Sequence, residues 1–216
     1  MQQSFNILKM KDNPFDIFID EYENWFKENE LVFQSELLAL KQVIPVGKEG
    51  VEIGIGSGIF AEKLNIKFGI DPSEKMLNYA TQRNLTVKKG FAENLPYPDK
   101  SFDFVTFITS ICFVDNPEKA LKEAHRIIKD KGNLIIAFID KESSLGKSLE
   151  LEKEDSKFYR HAKFYSVSEL TSMIINNHFE ITEIIQTLTE MKLKFPENPM
   201  KGHGKGSFVV IKGRKK

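Results

Sequence analysis

The run Val51-Glu52-Ile53-Gly54-Ile55-Gly56-Ser57-Gly58 narrows the choice of fold more than any other part of this sequence. A strand-like stretch leads directly into three glycines at alternate positions, and a helical pattern follows from Ile59. Glycines at such a turn permit positive φ and let a ligand lie against bare backbone. In an open parallel sheet, the crevice beyond the first strand is where nucleotides bind. Taken alone, the three glycines also suit a tight strand-to-helix turn with no ligand, so the neighbouring segments carry the decision.

Those neighbours alternate. Short apolar runs at 51–55, 67–70, 85–87, 102–108 and 134–139 are separated by helical segments near 59–65, 73–83 and 117–129. Strands alternating with helices imply crossover connections, hence an α/β, doubly wound, mainly parallel sheet with helices on both faces. Residues 102–108 (Phe-Asp-Phe-Val-Thr-Phe-Ile) are apolar at nearly every position, as a central strand buried on both sides should be. Asn116 and Pro117 open the third helix and Gly132 follows it. Farther on, Ser166 and Glu169 form a capping box for a helix over 166–177. Strands over 179–187 and 207–212 bring the expected total to seven. Residues 140–163 are polar with little periodicity and are expected to form a surface excursion, while 196–206 is a loop rich in Pro and Gly.

Ahead of the sheet, Asn13-Pro14 marks a helix start, and Phe15, Phe18, Tyr22, Trp25 and Phe26 recur at helical spacing on one face. A second helical stretch carries Leu37, Leu40 and Ile44 before Pro45 ends it. The 216 residues are therefore expected to form one domain: a helical cap over 1–45, a core over 46–140, and an insertion with the last strands over 141–216.

The chemistry follows from two carboxylates. A short strand ends in Asp71, placed to accept both hydroxyls of a ribose, although Asp71 could instead cap the helix behind it. Glu52 stands just before the glycines, where a carboxylate would repel a pyrophosphate and suit a cationic ligand group such as an amine or sulfonium. The spacing Gly-x-Gly-x-Gly also departs from the Gly-x-Gly-x-x-Gly of dinucleotide folds. Both features argue against NAD.

The runs Glu52 to Gly58, Gly69-Ile-Asp71-Pro-Ser-Glu-Lys-Met76, Gly90-Phe-Ala92-Glu93-Asn-Leu-Pro96, Ser101-Phe-Asp103 and the helix from Pro117 resemble, in order, the motifs of class I S-adenosylmethionine-dependent methyltransferases. The likeness covers roughly residues 45–140 and is close to the small-molecule branch that includes ubiquinone and menaquinone methyltransferases. It implies the Rossmann-like methyltransferase fold with an N-terminal helical lid, S-adenosylmethionine as cofactor, and methyl transfer to a small molecule by in-line displacement. By that resemblance Glu52 and Gly54 lie near the methionine end of the cofactor and Gly56 and Gly58 pass beneath it. Asp71 holds the ribose, Met76 lies against the adenine, Ala92 and Glu93 flank the adenine edge, and Thr109 follows the fourth strand near the transferred methyl. Phe91 stands where many relatives carry an Asp for the adenine amino group, and Asp130-Lys131-Gly132 replaces a common Pro-Gly-Gly.

Candidate bases are weaker. His125 and His178 read as a surface residue and a left-handed helix cap, whereas His161 and His203 lie in loops that could border a substrate. Tyr22 could close over the cofactor or an aromatic acceptor, or simply pack on the core. Cys112 reads as a buried filler, and the basic end (Lys212, Arg214, Lys215, Lys216) as a solvated tail.

Composition removes several classes. Thirty-one Lys+Arg balance thirty-one Asp+Glu, so the basic field of a nucleic-acid-binding protein is missing. Thr109-Ser110-Ile111 also replaces the Pro-Pro motif of nucleic-acid methyltransferases. A single Cys permits neither an internal disulfide nor a multi-thiolate metal site. No 18-residue apolar window occurs, and Met1 to Phe5 lack the pattern of a leader, so a cytoplasmic protein with no metal and no membrane partner is expected. A non-catalytic protein that binds S-adenosylmethionine for regulation, or a methyltransferase acting on a protein, are the alternatives.

Overall fold

The computed structural model describes residues 13–190 and 192–216. The first twelve residues of the expected cap, and the leader reading made on Met1 to Phe5, lie outside the described residues. Three helices come first: α1 (Pro14–Ile17), α2 (Ile19–Glu28) and α3 (Glu30–Val43). The alternating core is β1 (Gly50–Ile53), α4 (Ile59–Leu64), β2 (Phe68–Asp71), α5 (Glu74–Gln82), β3 (Thr86–Lys89), β4 (Phe102–Ile108), α6 (Pro117–Ile127) and β5 (Ile128–Ile139). It is followed by α7 (Ser144–Glu152), α8 (Val167–Asn176), β6 (Phe179–Thr187), β7 (Met200–Lys201) and β8 (Phe208–Lys215).

All strands form one sheet in the order β3-β2-β1-β4-β5-β8-β6-β7. The first five pair in parallel, while β8 runs antiparallel to both β5 and β6. Strand order reverses between β1 and β4, so the chain departs in opposite directions from their carboxyl ends and leaves a crevice there. β4 lies between β1 and β5 and its apolar residues are buried, as the sequence of 102–108 predicts.

Each face of the sheet has its own core. On one, Ala120, Leu121, Ala124 and Ile127 of α6 are fully buried with Val167, Leu170 and Ile174 of α8. Burying Leu121 or Ile127 contributes about 1.5–3 kcal/mol each. On the other, α3 supplies Phe33, Leu37, Leu40 and Val43 against Phe60 and Leu64 of α4 and Leu77 of α5. Thus α3 packs into the core while α1 and α2 lie over the crevice.

The structure differs from the sequence reading at four points. The sheet has eight strands rather than seven, because the Pro/Gly-rich loop lays Met200–Lys201 against the end of β6. Two exposed residues carry no pattern to announce this. The N-terminal aromatic stripe breaks at Phe18 (φ −113°, ψ 33°), which separates α1 from α2. Residues 140–163 are not a plain excursion but hold α7, whose first turn Ser143 caps through the Gly146 N–H at 2.9 Å. The basic end is strand rather than tail. Lys215 is 7% exposed, and its ammonium donates to the carbonyls of His125 at 2.7 Å and Ile128 at 2.8 Å, closing the carboxyl end of α6.

Candidate active site

A cavity of about 1110 Å³ opens at the carboxyl ends of β1 and β4, beneath α1 and α2. Pockets that hold a single drug-sized ligand measure about 300–1,000 Å³, so a cavity of this size has room for a nucleoside-sized molecule and a second, small one. Among the expected cofactor residues, Glu52, Gly54, Gly56, Asp71, Met76, Ala92, Glu93 and Thr109 all line this cavity.

The glycines divide by role. Gly54 has φ +72°, and a Cβ there would lie 2.5 Å from the Ser110 Cβ, so the turn after β1 needs a bare backbone to pass β4. Ser110 is held by donating to the Ile53 carbonyl at 2.6 Å. Gly56 (φ +53°) faces the cavity, with the Tyr22 hydroxyl oxygen 3.5 Å from where its Cβ would stand. Gly58 does not line the cavity. Its missing Cβ points at Leu85 and Ala80, at 2.3 and 3.2 Å, so this glycine lets α4 start close against α5.

Asp71 is not the cap of α5, which is Ser73 accepting from the Met76 N–H. Its own oxygens are set by backbone: Oδ2 accepts from Gly56 N–H at 2.9 Å and Oδ1 from Ser73 N–H at 2.8 Å. Burial pushes its carboxyl up to about 6 despite those two bonds. Glu52 is 2% exposed, and its Oε2 has no hydrogen-bond partner. Burial, and then the charge of Asp71, raise it well above the ordinary carboxylate range. Two neighbouring buried carboxyls, one with an orphan oxygen, form a site that gains from hydroxyl donors and a cation.

Apolar walls flank these acids. Met76 is 2% exposed, Ala92 is buried, and Phe91 stands at the rim. Glu93 reaches the cavity with its Oε1 accepting from Asn116 N–H at 3.0 Å. Thr109 has φ +50°, uncommon for a β-branched residue, and its N–H donates to Ala137 O at 2.8 Å. Strain of this kind collects at functional sites. Cys112 is half-buried rather than a fully buried filler; its thiol donates to the Thr109 carbonyl at 3.4 Å, and desolvation pushes it up to about 12, so it stays protonated.

The roof is aromatic. Phe15 packs edge-on against Tyr22 and Phe113 (ring centroids 5.8 and 5.1 Å), and Phe158 lies 5.4 Å from Phe15. Burial and then the charges of Glu52 and Glu23 raise the Tyr22 phenol, which leaves it a hydrogen-bond donor rather than a base. The roof is fastened along one face of α5: Ser73 bonds Asp16, Tyr79 bonds Asp20, and Arg83 pairs with Glu23 at 2.5 Å. Lys157 ties its other side to Glu21 at 2.8 Å.

Of the histidine candidates, His161 stands at the edge of the cavity, while His203 lies exposed in the loop before β8, away from it. His178 ends α8 with φ +65°, as expected of a left-handed cap, and His125 packs against it and Phe179. Sequence reasoning missed Phe158, which stands in a stretch without periodicity, and Glu36, a cavity residue of α3. Glu36 had a signal: it falls on the apolar stripe of Phe33, Leu37 and Leu40, where a charge is out of place. Among the described residues no cluster suits a metal ion, and no helix is long and apolar enough to cross a membrane.

A family profile described as a methyltransferase domain matches residues 51–136. An uncharacterized protein of Methanocaldococcus jannaschii is 41% identical over 204 residues, which cover 94% of this chain and 99% of that protein. The crystal structure of a Thermotoga maritima SAM-dependent methyltransferase, described as a possible histamine N-methyltransferase, matches with a TM-score of 0.91 at 47% identity. That match covers 94% of this chain and 99% of the other. The ubiquinone/menaquinone biosynthesis C-methyltransferase UbiE of Rickettsia akari is 32% identical over 162 residues, 65% of this chain and 60% of that enzyme.

Proposed function

The chain belongs to the class I S-adenosylmethionine-dependent methyltransferases, and we propose that it methylates a small acceptor with an aromatic or otherwise flat apolar body. Bound S-adenosylmethionine supplies a methyl group on a positively charged sulfur, open to in-line displacement by a lone pair of the acceptor. What this asks of the protein is placement and dryness rather than a strong catalyst.

Asp71, oriented by two backbone N–H groups, is suited to the ribose hydroxyls. Glu52 is suited to the amino group of the methionine end, which would give its orphan oxygen a donor. Met76 and Ala92 offer an apolar wall to the adenine, with Phe91 and Glu93 beside it. Gly54 and Gly56 let the cofactor approach the backbone, and Thr109 borders the space left for the acceptor. Tyr22, held protonated, can donate a hydrogen bond across that space but cannot take a proton.

The observation that carries this reading is the pair Glu52 and Asp71, buried together at the point where strand order reverses, with one oxygen unpartnered. The aromatic roof over the cavity supports a small acceptor over a protein chain. The description of the Thermotoga protein accords with an acceptor of that size. Calorimetric titration with S-adenosylmethionine and its demethylated product tests the proposal. Micromolar binding of both is expected, weakened by about 1–3 kcal/mol in Asp71→Ala. Absence of binding by either compound refutes it.

A further inference from the structure

One carboxyl in the cavity has no use in cofactor binding as proposed above. Glu36 is 5% exposed, lines the same cavity as Gly56 and Tyr22, and has no hydrogen-bond or ion-pair partner among the described residues. Leucine at this position would simply continue the apolar stripe of α3. Burying a carboxyl without a partner costs stability unless a ligand answers it.

The rest of the lining points to the sign of that ligand. Besides Glu36, Glu52 and Asp71, it includes Glu28 and Glu93, and among the described residues no lysine or arginine lines it. This imbalance is local, because the chain as a whole carries equal numbers of acids and bases. Aromatic rings of Tyr22, Trp25, Phe26, Phe113, Phe158 and Tyr159 form much of the remaining wall. Such rings attract cations through their faces and flat molecules through stacking. Glu36 and Tyr159 line the same cavity, so the carboxyl and this ring address a common space.

We propose that Glu36 is the acceptor-binding carboxylate of this enzyme, and that the acceptor carries a protonated amino group on an aromatic or similarly flat body. The inference rests on the reading of the cavity as a methyl-transfer site. An ammonium within hydrogen-bond reach gives Glu36 its counter-charge, and the rings enclose the body attached to it. An alcohol of the same shape leaves the carboxylate without a charge partner. Glu36 therefore selects the class of acceptor, whereas Asp71 and Glu52 select the cofactor.

The test compares benzylamine and phenethylamine with benzyl alcohol and 2-phenylethanol, with and without S-adenosylhomocysteine. Binding is read by calorimetry and by the fluorescence of Trp25, the only tryptophan and itself in the lining. At least one amine is expected to bind about ten- to a hundredfold more tightly than its alcohol, as for a buried charged hydrogen bond. Glu36→Gln should abolish that preference while leaving affinity for the alcohols and for S-adenosylhomocysteine unchanged. The inference is overturned if no amine outcompetes its alcohol, or if the preference survives Glu36→Gln. It is also overturned if the variant loses S-adenosylmethionine affinity while keeping that for S-adenosylhomocysteine, since Glu36 would then serve the sulfonium. Failure of S-adenosylhomocysteine to bind refutes the methyl-transfer reading instead, and the amine comparison on the free protein still reports on Glu36.

Discussion

Replacing Glu36 with glutamine should shift the stability of the free protein in the variant's favour as pH rises. Burial alone pushes this carboxyl from 4.5 up to about 8. The folded chain therefore holds a proton that the unfolded chain releases, and stability is lost as pH rises between those two values. The penalty is about 1 kcal/mol at about pH 5 and about 4–5 kcal/mol at about pH 8.5. Glutamine keeps the shape and removes the charge. Its unpartnered amide costs about 1–3 kcal/mol at either pH and cancels when the two conditions are compared. Burial also raises Glu52 and Asp71, but they contribute equally to both proteins. Urea unfolding of wild type and Glu36→Gln at the two pH values, without ligands, should show the variant gaining about 4 kcal/mol relative to wild type between them. An equal difference at both pH values refutes the argument, because it would mean that Glu36 carries no penalty for ionisation in the fold.

Lys215→Met keeps the aliphatic stem and deprives two buried carbonyls of their donor. Thermal unfolding should show a loss of about 1–3 kcal/mol, with affinity for S-adenosylhomocysteine unchanged. Gly54→Ala places a Cβ 2.5 Å from that of Ser110 at φ +72°, and should cost about 2–4 kcal/mol from overpacking and left-handed backbone together. The double variant with Ser110→Gly should recover the overpacking share in the same melt, whereas no recovery would mean that the backbone conformation alone carries the cost.

Much of this protein is local enough to be legible in its sequence. Runs such as 102–108 are buried on both faces and so are apolar at nearly every position, and Ser166 with Glu169 caps α8 through bonds that span three residues. The glycine turn and Asp71 belong to one strand–helix–strand unit, so this side of the cavity is written into a single stretch of chain. The side under the aromatic roof is not. It brings together Tyr22 from α2, Glu36 from α3, Thr109 from the end of β4 and Phe158 from beyond α7. No spacing relates these residues, since only the folding of α1 and α2 over the sheet makes them neighbours. The same physics hid the roles of Lys215, which looks like tail until β6 and β5 enclose its strand, and of Gly58, whose purpose is the contact between α4 and α5. Hydrophobic periodicity and turn chemistry act over a few residues and set the sheet and the glycine turn after β1. The unpartnered carboxyl of Glu36 reaches the cavity only because of which distant segments the tertiary structure closes around it.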